Sequence, residues 1–113
     1  MGPEALWSIE FIDNNEHHGG GIAVFYQNRV LGGNNGFTYI GDYKLIGEEI
    51  IFTVDIKRFN ATVPGIYKDE FTLSARGKYH DLEFIVTGSP VENESLILAV
   101  QCTRQGELGL LDK

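Results

Sequence analysis

Apolar and polar residues alternate through most of the chain. In "FTYIGDYKL", residues 37–45, Phe37, Tyr39, Gly41, Tyr43 and Leu45 share one parity, and Thr38, Ile40, Asp42 and Lys44 share the other. Successive side chains of an extended backbone point to opposite sides, so this rhythm predicts a strand with one buried face. It recurs in Trp7, Ile9, Phe11, in Ile50, Phe52, Val54, Ile56, and in Phe71, Leu73, Ala75. Leu82, Phe84, Val86 and then Leu96, Leu98, Val100, Cys102 repeat it once more. With the segments at 20–26 and 29–32, the pattern predicts strands over 6–12, 36–45, 49–59, 70–78, 81–88 and 95–104.

The connectors carry turn chemistry. Gln27-Asn28 is a two-residue turn, 32–36 ("GGNNG") a longer one, and Ile46-Gly47 and His80-Asp81 reverse the chain again. The stretch "NATVPGIYKD", 60–69, has room for one short helical turn at most, because Pro64-Gly65 ends any helix early. Short consecutive strands joined by tight turns imply antiparallel neighbours. An open sheet of eight strands leaves two edges exposed, and closure removes them. The pattern therefore predicts an all-β fold, an antiparallel up-and-down eight-stranded barrel, with a sandwich as the second arrangement it allows.

Eight rings, those of Trp7, Phe11, Phe37, Tyr39, Tyr43, Phe52, Phe71 and Phe84, fall on the inward parity. An eight-stranded barrel is wide enough to be filled by side chains or to hold one small ligand. So many rings favour the filled core. Should a pocket exist, Trp7, Phe11, Tyr39, Tyr43 and Phe52 would line it for a small apolar or aromatic ligand. On the parity expected to meet solvent stand Phe25, Ile51, Ile85 and Ile97. If contiguous, they make a patch that a monomer seldom leaves bare, and a homodimer is the simplest cover.

Composition narrows the classes. A chain of 113 residues with 42% hydrophobic content is the size of one domain with a packed core. The expectation is a single barrel over 1–113, ordered over about residues 5–105. A net charge of −7, from 9 basic and 16 acidic residues, disfavours direct nucleic-acid binding and suits attraction to a basic partner. No apolar run approaches the roughly 20 residues of a membrane helix. The single cysteine and the absence of a basic, apolar leader lead to the expectation of a cytoplasmic protein.

Candidate chemistry is sparse. Adjacent histidines such as His17-His18 diverge on an extended chain, and zinc sites space their ligands more widely. Gly19-Gly20-Gly21 precedes a strand rather than the helix a dinucleotide fingerprint requires. Cys102 sits on an inward parity, and Ser74, His80 and Asp81 have no nucleophile elbow around them. No catalytic residue, metal site or cofactor is expected.

Several of these segments, in this order, resemble the GrlR-like family. They are "GGN" at 32–34, Phe37, Tyr39, Gly41 and Tyr43, Lys57-Arg58 closing a long strand, "VPG" at 63–65, then Phe71, Leu73 and Gly77. The likeness runs from about Leu6 to Arg104. It implies a lipocalin-like (calycin-like) barrel that dimerises and represses by binding a transcriptional activator, recognised through a turn of alternating Glu and Asp. The corresponding hairpin here is Ile46-Gly47-Glu48-Glu49, so the resemblance implies Glu48 and Glu49 as partner-binding residues. The chain departs from the lipocalin signature Gly-x-Trp, having Ala5-Leu6-Trp7 in that place.

Overall fold

The computed structural model describes residues 2–13 and 16–109, with the side chains of 16–18 outside the description. Eight strands follow in order: β1 (Ala5–Asp13), β2 (Glu16–Tyr26), β3 (Arg29–Gly33), β4 (Phe37–Ile46), β5 (Glu49–Arg58), β6 (Glu70–Lys78), β7 (Glu83–Pro90) and β8 (Leu98–Gly106). Each pairs antiparallel with the next, and β8 returns to pair with β1, so the sheet is a closed up-and-down barrel. Closure leaves no strand edge to template aggregation.

Local chemistry sets the hairpins. Gln27 and Asn28 both take positive φ, 50° and 64°, as a two-residue type I′ connection demands. At the β4–β5 hairpin the turn falls on Gly47-Glu48, with Gly47 at φ 62° and Ile46 opposite Glu49. Inside β4, a Cβ at Gly41 would run into the Thr53 carbonyl and Val54 Cα, so glycine there lets the sheet curl tightly. The 59–69 segment holds a hydrogen-bonded turn, with Val63 N donating to Asn60 O at 3.2 Å, and continues irregularly into β6.

The inward parity packs in two aromatic layers. Near the β2–β3 and β4–β5 hairpins, Trp7 stacks on Phe25 at 5.4 Å and meets Phe84 edge-on at 5.1 Å. Phe25 in turn contacts Tyr43 and Phe52, each at 5.4 Å. Toward the other end, Phe11 meets Tyr39 at 5.6 Å with Ile66 beside them, and Tyr67 meets Phe71 at 5.2 Å. Offset and edge-on rings at these spacings add about 0.5–1.5 kcal/mol per pair to the burial itself.

One inward residue corrects the sequence reading. Phe25 is 1% exposed and lies in the core, not on the surface. The segment "GIAVFY" is apolar on both parities, and pairing decides between them. Trp7 is opposite Ala23 and Ala5 is opposite Phe25. Directly opposed residues share a face, so an inward Trp7 carries Ala23 and Phe25 inward and turns Ile22, Val24 and Tyr26 out.

Candidate protein-docking surface

The interior offers little volume for chemistry. Its central cavity measures about 40 Å³ and is lined by apolar groups including Ile9, Phe11, Ala23, Phe52, Ala75 and Cys102. A second void of about 30 Å³ sits beneath Pro64 and Ile66, bordered by Phe11, Tyr39 and Ile56. Ligand pockets run to about 300–1,000 Å³. Of the five residues named for a pocket, Trp7, Tyr43 and Phe52 pack within one aromatic cluster, while Phe11 and Tyr39 meet near the opposite end. All five are filling.

The polar groups carried by the buried rings of Tyr39, Tyr43 and Trp7 have partners. The Tyr39 hydroxyl accepts from Asn34 Nδ2 at 3.0 Å, and burial pushes its pKa up to about 12. Burial also raises the Tyr43 phenol, opposed by a backbone hydrogen bond from Asn28. Trp7 Nε1 donates to the Pro3 carbonyl at 2.8 Å. The Cys102 thiol is pushed up to about 12 by burial, which keeps it protonated and a poor nucleophile.

Among the described residues, no three His, Cys, Asp or Glu side chains converge to hold a metal ion. The imidazoles of His17 and His18 lie outside the described residues. Ser74 pairs with Thr53 and Ser89 in the middle of β6, whereas His80 follows the end of that strand. Ser74 and Lys78 alone are separated by roughly 13 Å of extended chain, so Ser74 and His80 do not meet.

The outer wall is more informative, and it is asymmetric. Register brings Leu6 of β1 opposite Val24 of β2, Val24 opposite Leu31 of β3, and Leu31 opposite Ile40 of β4. These four form an unbroken apolar row across four strands, all on the outward parity. Ile22 and Tyr26 flank Val24 along β2 and widen the row into a patch. Ile22 is 55% exposed, Leu31 49% and Ile40 47%. By contrast, the outward positions of β5–β8 carry Thr53, Asp55, Ser74, Arg76, Thr87, Gln101 and Thr103 beside single apolar residues.

The apolar residues expected on the surface are dispersed. Ile51 is half-buried on β5 between Lys44 and Arg76. Ile85 lies on β7 opposite Gln101, and Ile97 precedes β8; both are exposed. With Phe25 inside, these four make no common patch. The patch at β1–β4 escapes a parity count because it depends on which residue faces which. The available signal was the second apolar parity of "GIAVFY", read against the strand that holds Trp7.

The acidic hairpin is largely neutralised by its own sheet. Glu49 takes a two-pronged grip from Arg76, Nη2 to Oε1 at 2.7 Å and Nε to Oε2 at 3.0 Å. That hydrogen-bonded guanidinium holds the Glu49 carboxyl below its ordinary pKa. Glu48 remains largely exposed, with Lys78 Nζ 3.7 Å away. Of the two, Glu48 is the one left facing solvent. No family model and no curated protein matches this sequence.

Proposed function

We propose that this protein is a non-enzymatic regulatory module that binds another protein through its outer wall, as the GrlR-like resemblance implies. The partner that suits it is a basic protein such as a transcriptional activator, held in check in the cytoplasm. One contrast carries the reading. The interior is filled by side chains, whereas the outer wall of β1–β4 bears a contiguous apolar patch. Recognition then belongs outside. The surplus of acid speeds encounter with a cationic surface, and Glu48 is the exposed acid of the β4–β5 hairpin.

Affinity capture from the native lysate tests this, comparing the wild-type chain with Glu48→Lys. The wild type should retain a basic protein whose association weakens as salt rises, and Glu48→Lys should retain several-fold less. Wild-type bait that retains no more than an unrelated barrel would end the proposal, as would a partner indifferent to both salt and Glu48→Lys.

A further inference from the structure

We infer that the outer face of β1–β4 receives an amphipathic helix of the partner, its apolar stripe bordered by lysine or arginine. The inference rests on the reading above, that the outer wall binds a basic protein, and names the face used and the chemistry of what sits on it. The closed sheet limits the form of the occupant. Each of β1–β4 is paired on both sides, so this face has no strand edge along which an extended segment could add. Contact falls to side chains alone. A helix suits that, because it satisfies its own backbone groups and gathers its apolar residues on one side.

The dimensions agree. With strands about 4.8 Å apart, the row of Leu6, Val24, Leu31 and Ile40 runs about 14 Å across the sheet. Helix turns recur about every 5.4 Å, so anchors at i, i+3 or i+4, and i+7 span about 11 Å and fit within the row. Ile22 and Tyr26 stand on either side of Val24, about 13 Å apart along β2. That separation matches the ~10–12 Å breadth of a helix with its side chains.

Charge sets the sign of the partner. Past Ile40, the next residue in the row is Asp55 on β5, whose Oδ1 accepts from the Thr72 hydroxyl at 2.8 Å. At the Leu6 end, Glu4 precedes β1 on the same parity, and its Oε2 accepts from Gln27 N at 2.7 Å. Glu10 lies farther along the outward side of β1, opposite Gly20. Arg29 and Asp42, 2.9 Å apart, cancel at one corner, and Lys57 stands opposite Thr38 at another. Acid therefore borders the apolar row at both ends. Cationic residues beside a helical stripe meet Glu4, Glu10 and Asp55 with opposite charge. An anionic lipid surface, a nucleic acid or a second copy of this face meets them with like charge.

The probe is a labelled synthetic helix of leucine and lysine, about 14 residues long, with its leucines at i, i+3, i+4 and i+7. Fluorescence anisotropy follows its binding to the full chain, and circular dichroism its gain of helix. Two further peptides serve as comparisons: the same residues scrambled to destroy the stripe, and the stripe with glutamate in place of lysine. The first peptide should bind about tenfold tighter than either, less tightly as salt rises, and become helical. Leu31→Ser and Asp55→Lys should each weaken it about fivefold or more, with melting temperatures near the wild type because both positions are exposed. Glu83→Lys makes the same change in net charge on β7 and should stay within about twofold of the wild type. Equal binding of the scrambled peptide, or indifference to Leu31→Ser, would overturn the helix site. So would a wild type that sediments as a dimer dispersed by Leu31→Ser, which would give the face to a second copy. A basic protein captured from lysate equally by wild type and Leu31→Ser would keep the regulatory reading and overturn this face. Wild-type bait that captures nothing, beside a peptide that binds as expected, would fail the regulatory reading and support the helix site.

Discussion

Arg104 shows how much one side chain can organise. It is rooted near the end of β8, its guanidinium lies 4.9 Å over the Trp7 ring, and its side chain is 6% exposed. It donates to the Gly2 carbonyl at 2.6 Å, the Asp81 carbonyl at 2.6 Å and the Tyr79 hydroxyl at 3.1 Å, and it pairs with Glu107. The N-terminal segment, the β6–β7 loop and the C-terminal segment are thus tied to one planar group. Arg104→Ala should cost about 2–3 kcal/mol and lower the melting temperature by roughly 10 °C, because it strands those acceptors. Arg104→Lys should recover less than half, since an ammonium lacks the flat fork that stacks and donates in several directions at once. Titration offers a second test at this scale. Tyr79 is raised to about 12, by burial first and by a hydrogen bond to Asp81, with Arg104 opposing; burial raises Tyr39 to about 12 as well. From their ordinary pKa of 10.0 up to about 12, the unfolded chain releases protons that the folded chain keeps, so stability falls as pH rises through that window. Denaturant melts should show that decline above pH 10, with tyrosinate absorbance appearing as the chain unfolds. Cys102, likewise raised, should resist thiol reagents until unfolding.

Among the elements, the β2–β3 hairpin is built on two residues in a backbone region that favours glycine and asparagine. Gln27 at φ 50° is the less suited of the two. Its neighbours hold it through the main chain: its N–H donates to Glu4 Oε2 at 2.7 Å, and Tyr43 N donates to the Asn28 carbonyl at 2.9 Å. Gln27→Asn or Gln27→Gly therefore keeps every one of these bonds while relieving left-handed strain. It should stabilise by about 0.5–1 kcal/mol, raising the melting temperature by roughly 3–6 °C in a thermal scan. This hairpin also explains what was legible beforehand. Strand number, direction and most inward positions follow from alternation and turn residues, and Ile50, Phe52, Val54 and Ile56 fall inside as their spacing requires. Strand β2 resists the same treatment because Ile22, Val24 and Tyr26 are as apolar as Ala23 and Phe25. Only the register imposed by β1 and by the turn at Gln27-Asn28 separates the two sets. A parity count alone sets Phe25 outside, and the register with β1 corrects it. The outward patch is hidden from the same count, because its members are distant in sequence and meet only through pairing.

For the molecule as a whole, the consequential property is that the barrel is full. The rings named from their parity all lie inside, and what remains at the centre is about 40 Å³ of wholly apolar space. Such a void stays dry and binds nothing of ligand size. Phe52 is the residue on which this closure can be tried. Its ring contacts Phe25 at 5.4 Å, Tyr43 at 6.3 Å and Phe84 at 6.3 Å, and it borders the central cavity. Phe52→Ala removes the ring from a site whose walls belong to a closed sheet and cannot readily collapse. It should cost about 3–5 kcal/mol and open a space approaching the ~150 Å³ that accepts benzene in an engineered cavity. Phe52→Leu makes a smaller opening at lower cost and keeps the comparison available if the alanine variant does not fold. Benzene should then raise the melting temperature of the variants, more for alanine than for leucine, and leave the wild type unmoved. Trp7, the single tryptophan, lies within the same cluster and reports the event by fluorescence. A wild-type chain that responded to benzene, or to larger apolar molecules, would mean that the two aromatic layers part readily. The case for recognition on the outer wall would then lose its foundation, because that case depends on an interior with no room to spare.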